Sequence, residues 1–306
     1  MSTPKLVNAW IFLNEDEPEV NGQPVGYDDP QSDYQRLITQ NVYRSVDILF
    51  ICFATTVPTS SSTVPTGNGD FYTLQMGAVD PPHPGGLTNQ DYMDNVIRDS
   101  RANNPDIKIA MTLIWGDGDV ISNIFANSNF TPEENAENFA ANLMAYLQHY
   151  ELDGFDIDWE SPLSDDTTPE QFRLLVTAIG TQFRKQDKKY YLTFSPAEVG
   201  NLDAETVNSY FDFVTLQLYS GFTKPGDFIR AGVNCNLLAY GAKFEANQQS
   251  TPDGQGHQTA QDAYDQARWL GYTTYTQWRL NSQNYEFEQD QQVELYSLVS
   301  PENESR

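Results

Sequence analysis

The sequence contains few of the residues on which metal-binding and disulfide-rich proteins depend. Its 306 residues include only two cysteines, Cys52 and Cys235, and three histidines. The cysteines give neither a disulfide framework nor a CxxC motif, and Cys52 lies in an apolar run typical of a buried core residue. Because the histidines are far apart and show no HxxxH spacing, we expect no zinc site and no metal or other cofactor.

Basic residues are also scarce, with 17 Lys and Arg against 43 Asp and Glu, for a net charge of −26. A phosphate backbone needs cations to neutralise it, so we expect no nucleic-acid partner. The same charge disfavours anionic membranes but does not repel a neutral polysaccharide. We expect a monomer.

Long hydrophobic runs are absent as well. No apolar stretch reaches the roughly 18 residues of a membrane span. The amino terminus lacks the apolar segment of a signal peptide. An extracellular location is compatible with the sequence if the chain is a processed form.

Short apolar runs alternate with longer helical patterns along the chain, as expected for βαβ units around a parallel sheet. Eight such runs predict an α/β fold, a (β/α)8 TIM barrel formed by residues 1–306 as a single domain. An open doubly wound sheet is the alternative. The predicted strands are Leu6–Leu13, Val46–Ala54, Ile107–Trp115, Gly154–Asp158, Tyr190–Pro196, Phe213–Tyr219, Asn236–Phe244 and Thr273–Trp278.

Two of the intervening helices have strong start signals. Thr131 and Thr168 are each followed by proline and an acidic residue, a combination that favours the first turn of a helix. Weaker helical patterns cover Asp33–Gln40, Asn89–Ala102, Ala204–Tyr210, Ala260–Leu270 and Phe287–Leu298.

The longest irregular stretch is Thr55–Leu87, which follows the second predicted strand. In a barrel it would lie on the catalytic face. Phe71 and Tyr72 within it could either stack on sugars or pack the loop against the barrel.

The segment 153–160 reads Asp-Gly-Phe-Asp-Ile-Asp-Trp-Glu, with acidic and apolar residues in alternation. Asp156, Asp158 and Glu160 therefore share one face of a strand, and the apolar residues face the helices. The three acids should point into the barrel, with Glu160 at the carboxyl end where active sites form.

Carboxylates this close repel one another when ionised, so at least one should hold a proton and could act as a general acid. We expect Asp156 and Asp158 to titrate as a coupled pair. A Ca²⁺ or Mg²⁺ site is the competing interpretation. Calcium loops are irregular turns, however, which favours catalysis for this regular alternation.

This segment resembles the DGxDxDxE signature of the family 18 glycoside hydrolases, which include chitinases, endo-β-N-acetylglucosaminidases and inactive chitinase-like lectins. The similarity continues in order along the chain. Segment 214–219, Val-Thr-Leu-Gln-Leu-Tyr, resembles the sixth-strand motif that ends in a catalytic tyrosine. Segments 192–197 and 276–278 resemble the ends of the fifth and eighth strands.

The resemblance implies a catalytic role for four residues. Glu160 would protonate the glycosidic oxygen, and the substrate's own 2-acetamido oxygen would attack the anomeric carbon. Asp158 would orient the acetamido group, Asp156 would share a proton with Asp158, and Tyr219 would hydrogen-bond the acetamido group.

The resemblance also implies four substrate-binding or supporting residues. Trp278 would stack beneath the sugar ring, with Gln217 near the acetamido group. Asp153 would lie lower and tune the other acids, supported by the hydroxyl of Thr112. Residues 114 and 115 depart from the family pattern, since Ile and Trp replace paired glycines.

The expected function is thus retaining, endo-acting cleavage of β-1,4 linkages in glycans that contain N-acetylglucosamine. Only 28 residues, 245–272, separate the last two predicted strands, too few for the insertion domain of some chitinases. We therefore expect an open substrate groove. Such a groove could also admit a branched glycan, so an endo-β-N-acetylglucosaminidase acting on N-glycan cores is an alternative. A carbohydrate-binding lectin is the alternative from another functional class.

Overall fold

The computed structural model describes residues 5–64, 69, 71–244 and 258–300. Within this part of the chain, eight parallel strands close into a barrel, because the first strand pairs with both the second and the eighth. The strands are β1 Leu6–Phe12, β2 Ile48–Pro58, β3 Lys108–Leu113, β4 Gly154–Trp159, β5 Tyr191–Pro196, β6 Phe213–Leu216, β7 Leu238–Lys243 and β8 Thr274–Trp278. The predicted TIM barrel is confirmed, and the open sheet is excluded.

The helices lie around the barrel between the strands. They are α1 Asp33–Thr39, α2 Asn89–Asn103, α3 Asp119–Ser122, α4 Pro132–His149, α5 Leu163–Asp166, α6 Pro169–Arg184, α7 Ala204–Tyr210, α8 Pro225–Arg230, α9 Ala260–Leu270 and α10 Tyr285–Val299. Thr131 and Thr168 accept the backbone N–H groups three residues on, as predicted. None of these helices combines the length and the apolar character that a bilayer crossing requires.

The segment predicted as one long irregular loop contains regular structure. Strand β2 continues to Pro58 and pairs antiparallel with a further strand, Tyr72–Met76. This arm leans on α4, where the buried Asn142 donates a hydrogen bond to the carbonyl of Tyr72 (3.0 Å). Phe71 is buried with its ring centroid 4.6 Å from that of Phe130, so Phe71 packs the loop down.

The core has two parts, one between the strands and the helices and a smaller one inside the barrel. The inner part is filled by side chains such as Trp10, Phe50 and Phe213. Cys52 belongs to it and is fully buried, as its apolar surroundings predicted. The barrel is therefore a packed interior whose open end carries the polar groups.

Candidate active site

Three carboxylates lie at the carboxyl end of β4. Asp156 and Asp158 are 0% and 6% exposed, and Glu160, directly after the strand, is partly exposed. Phe155 and Trp159 alternate with them and belong to the core between strands and helices. The acids therefore share the opposite, inner face of the barrel, as the alternation predicted.

Close packing of two strands explains the glycine at position 154 of the acidic segment. A Cβ on Gly154 would lie 2.6 Å from the backbone oxygen of Tyr191, so any side chain there would separate β4 from β5. Close pairing of the two strands sets Asp156 opposite Thr193 and Asp158 opposite Ser195.

Asp156 is held by hydroxyl groups. Thr193 donates to its Oδ1 (2.6 Å), and the Ser195 hydroxyl lies 3.0 and 3.1 Å from its two oxygens. Thr112 also hydrogen-bonds it, and Trp10, whose indole N–H donates to Thr112 (3.2 Å), likewise favours its ionised form. Burial raises the pKa of Asp156 to about 6, and these four partners moderate the rise.

Asp158 and Glu160 form a hydrogen-bonded pair. Burial, followed by the charges of Glu160 and Asp156, raises the pKa of Asp158 well above its usual range. Burial also raises the pKa of Glu160, and the nearby charge of Glu198 adds to the rise. Gln217 donates to Asp158 (2.8 Å) and to the Ser195 carbonyl (3.1 Å), which fixes the orientation of its amide. The pair can therefore hold a proton where an isolated carboxyl would have lost it.

Trp278 ends β8 in a cluster of aromatic rings. Its ring centroid lies 5.9 Å from those of Trp10 and Phe53 and 6.1 Å from that of Phe12. The side chain remains partly exposed. A partly exposed indole at the mouth of a barrel can offer a face to a sugar ring.

Tyr219 lies beyond the end of β6 rather than within it. Strand β6 stops at Leu216, and residues 218–220 form a 3-10 turn closed by Gly221 in the left-handed region (φ 83°). The turn presents the partly exposed Tyr219 at the same end of the barrel as the acids.

A cavity of about 1370 Å³ opens between the loops that follow β1, β2 and β8. Its lining includes Glu15, Glu17, His83 and Tyr285 but none of the three acids of β4. In the described part of the chain, no group of three or more His, Cys, Asp or Glu side chains is arranged to hold a metal ion.

The family model for glycosyl hydrolases family 18 matches residues 23–301. The chain belongs to this family. A search of curated proteins found no match. Membership in family 18 makes the protein a glycoside hydrolase or a chitinase-like relative of one.

Solved structures of family 18 type share the fold. A class V chitinase from Nicotiana tobaccum is 14% identical, with a TM-score of 0.63 over 97% of this chain and 99% of that one. A class V chitinase mutant from Cycas revoluta, in complex with (GlcNAc)3, is 14% identical with a TM-score of 0.60 over 95% and 99%. The chitinase-like agglutinin RobpsCRA from Robinia pseudoacacia is 13% identical with a TM-score of 0.62 over 94% and 99%. Such identities demonstrate a common fold and leave activity open.

Asp153, the first acid of the family 18 signature, lies lower than the other acids, directly before β4, and its side chain is held at the amino end of the strand, away from the mouth where a substrate would bind. Its carboxylate pairs with Lys188 (2.8 Å), lies 3.9 Å from Arg101 and accepts the backbone N–H of Ile109 (3.0 Å). Three residues before the inward-facing Asp156, Asp153 falls on the outward side of a period-two strand. Asp153 thus connects the amino end of β4 to Ile109 of β3 and to Lys188, which precedes β5.

Thr112 is fully buried and therefore does not offer its hydroxyl to a substrate, which corrects its prediction as a substrate-binding residue. It hydrogen-bonds Asp156 and accepts the indole N–H of Trp10 (3.2 Å). The next inward residue, Ile114, packs against the core, whereas Trp115 is 37% exposed.

Three polar residues of the site were missed in the sequence. Thr193 and Ser195 hold Asp156, and Glu198 influences Glu160. Thr193 and Ser195 alternate along a predicted strand next to the acidic one, and this alternation could have identified them as inward-facing partners.

Proposed function

We propose that the protein is a retaining, endo-acting glycoside hydrolase of the chitinase type. It would cleave β-1,4 linkages in glycans that contain N-acetylglucosamine by substrate-assisted catalysis. The observation that carries this proposal is the hydrogen-bonded pair of Asp158 and Glu160 at the barrel mouth, in which burial favours retention of a proton.

In the first step, Glu160 gives its proton to the glycosidic oxygen as the bond to the anomeric carbon breaks. The carbonyl oxygen of the substrate's 2-acetamido group bonds to the anomeric carbon, giving an oxazolinium ion. Asp158 accepts the acetamido N–H and offsets the positive charge, and Asp156 shares a proton with it. Tyr219 and Gln217 orient the acetamido group, and Trp278 supports the ring.

In the second step, water attacks the anomeric carbon and the oxazolinium carbon–oxygen bond breaks. The water proton passes to Glu160, which acts as base and regains its starting state. Two inversions at one carbon give net retention.

The substrate is a neutral oligo- or polysaccharide that bears N-acetylglucosamine. The (GlcNAc)3 bound to the Cycas chitinase supports this class of ligand. The net charge of −26 does not oppose a neutral glycan.

An endo-β-N-acetylglucosaminidase is the second candidate. The large cavity lined by the loops after β1, β2 and β8 offers room for the arm of a branched N-glycan beside a linear site. A lectin is the non-enzymatic candidate, supported by the agglutinin among the structural neighbours. All four acids of the signature are present, which favours the enzymes.

Replacing Glu160 with Gln tests the mechanism. Loss of the general acid should lower kcat on (GlcNAc)6 by a factor of about 10² to 10⁴, with binding retained. Glu170→Gln, at an exposed carboxylate on α6, is the matched control and should leave turnover unchanged. Full turnover by Glu160→Gln would refute the mechanism.

A parallel assay with a high-mannose glycoprotein separates the candidates. Cleavage of the oligomer alone supports the chitinase type, whereas cleavage of the glycoprotein alone supports the second enzyme. Binding without cleavage of either supports the lectin. Proton NMR of the first product gives its anomeric configuration, which should be β.

A further inference from the structure

The indole of Trp278 has a cation as one of its neighbours. The guanidinium carbon of Arg279 lies 5.5 Å from the ring centroid of Trp278 and 5.6 Å from that of Phe12. Trp10 and Phe53 contact the same indole. The guanidinium thus completes an otherwise apolar enclosure around a partly exposed ring.

Arg279 forms an ion pair with an acidic residue from another part of the barrel mouth. Glu15, just after β1, lies 2.6 Å from its guanidinium, and the two side chains are only 12% and 18% exposed. The Arg279 carbonyl accepts the side-chain N–H of Gln277 (2.9 Å). Because removing one member of a buried ion pair strands the other charge, Glu15 and Arg279 act as a unit.

This unit joins two loops at the barrel mouth. The backbone N–H of Glu15 bonds to the carbonyl of Phe12, and Asn281 bonds to the N–H and the carbonyl of Phe12 (3.0 and 2.8 Å). The ends of β1 and β8 are therefore fastened together around the Trp278 ring.

We propose that Arg279, anchored by Glu15, is a positioning residue that fixes the Trp278 indole as the platform for the sugar. A planar guanidinium can stack on an aromatic face while keeping an ion pair in its own plane, which a lysine ammonium cannot reproduce. The inference rests on the proposed function, because it takes Trp278 as the residue beneath the sugar.

The test measures KM and kcat on (GlcNAc)6, and the Kd of (GlcNAc)4 in a Glu160→Gln background. Arg279→Met should raise KM and Kd about tenfold with kcat within threefold, because a misplaced platform weakens ground-state and transition-state binding alike. The pH profile of kcat should not move. The near-UV circular dichroism of the indoles should change.

Further variants keep the test decisive if Arg279→Met folds poorly. Arg279→Lys keeps the charge and should show a smaller change in the same direction, and Glu15→Gln should raise KM through loss of the anchor. The double variant Glu15→Gln/Arg279→Met should have the same KM as Arg279→Met alone, because Glu15 acts only through Arg279. The matched control is Arg268→Met on α9, which removes a guanidinium 5.4 Å from the Tyr264 ring and should leave KM unchanged.

The outcomes separate this inference from the proposed function. If the wild-type protein cuts (GlcNAc)6 while Arg279→Met and Arg279→Lys keep its KM and Kd, the positioning role is refuted and the proposed function stands. If the wild-type protein neither cuts nor binds the oligomers, the proposed function fails and the inference falls with it.

Discussion

Asp156 lies in the barrel interior, where its hydrogen-bond partners include the hydroxyls of Thr193, Ser195 and Thr112, and the indole N–H of Trp10 donates to Thr112 in turn. Such donors stabilise the ionised form less than a cation would, so burial dominates and raises the pKa. Together with the pair of Asp158 and Glu160, this arrangement keeps protons on an acidic strand near neutral pH.

The raised pKa of Asp156 predicts a pH-dependent stability that Asp156→Asn should remove. The unfolded carboxyl has a pKa of about 4 and the folded one a pKa of about 6, so the folded state binds more protons in between. Wild-type stability should therefore fall from pH 4 to pH 7, by on the order of 3 kcal/mol from this residue. Relative to wild type, Asp156→Asn should gain stability over that range in urea unfolding.

Asp91→Asn gives the opposite trend as a control. Hydrogen bonds from Thr88 lower the pKa of Asp91 at the start of α2. The stability that ionised Asp91 supplies is present above its unfolded pKa of about 4 and is lost as pH falls below it, so the effect of Asp91→Asn should be nearly constant from pH 4 to pH 7 and should shrink at lower pH. A difference between Asp156→Asn and wild type that stays constant from pH 4 to pH 7 would contradict the assigned environment.

At the scale of elements, the position of the acids depends on how closely β4 lies against β5. The strands are paired from Gly154 and Tyr191 to Trp159 and Pro196. An extra carbon at Gly154 would contact a backbone oxygen, which cannot rotate away as a side chain could. The register that puts Asp156 beside its hydroxyl donors thus depends on a residue without a side chain.

Gly154→Ala should therefore destabilise the protein by about 1–3 kcal/mol or more and impair the site. Urea unfolding gives the stability, and kcat on (GlcNAc)6 gives the effect on the acids. Gly116→Ala is the control, because a Cβ there meets nothing within 4 Å. If the two variants had the same midpoint of urea unfolding, the close pairing of β4 with β5 would not be needed for stability.

Much of this element-level structure could be predicted from the sequence. Alternation in segment 153–160 correctly placed Asp156, Asp158 and Glu160 on one side of β4, because strand period alone decides that. The same period places Asp153 on the outward side of β4, and its role at the substrate site was expected only because it belongs to the signature. The ion pair of Arg279 with Glu15 could not be predicted, since it depends on barrel closure bringing β1 beside β8.

The end of β6 shows another limit. The apolar run predicted a strand through Tyr219, but the chain turns after Leu216. Local propensity does not specify where a barrel strand stops, because the neighbouring strands decide how far pairing continues.

At the scale of the whole molecule, the barrel carries 43 acidic and 17 basic residues. Pairs such as Arg36 with Asp290 and Arg279 with Glu15 neutralise part of this charge. A large excess of carboxylates cannot find a cation within the chain. Their mutual repulsion is relieved in the expanded unfolded chain, so the charge lowers the stability of the folded state.

Salt should therefore stabilise the protein at neutral pH. The Debye length falls from about 30 Å at 0.01 M to well below 10 Å at 0.5 M salt, which screens repulsion between separated surface charges. We expect the Tm at pH 7 to rise by a few degrees between these NaCl concentrations, measured by differential scanning calorimetry. Near the sequence pI of about 4.1 the net charge approaches zero, so the rise should largely disappear. A rise of equal size at both pH values would assign the effect to hydrophobic salting-out, and a fall at pH 7 would mean that ion pairs outweigh the repulsion.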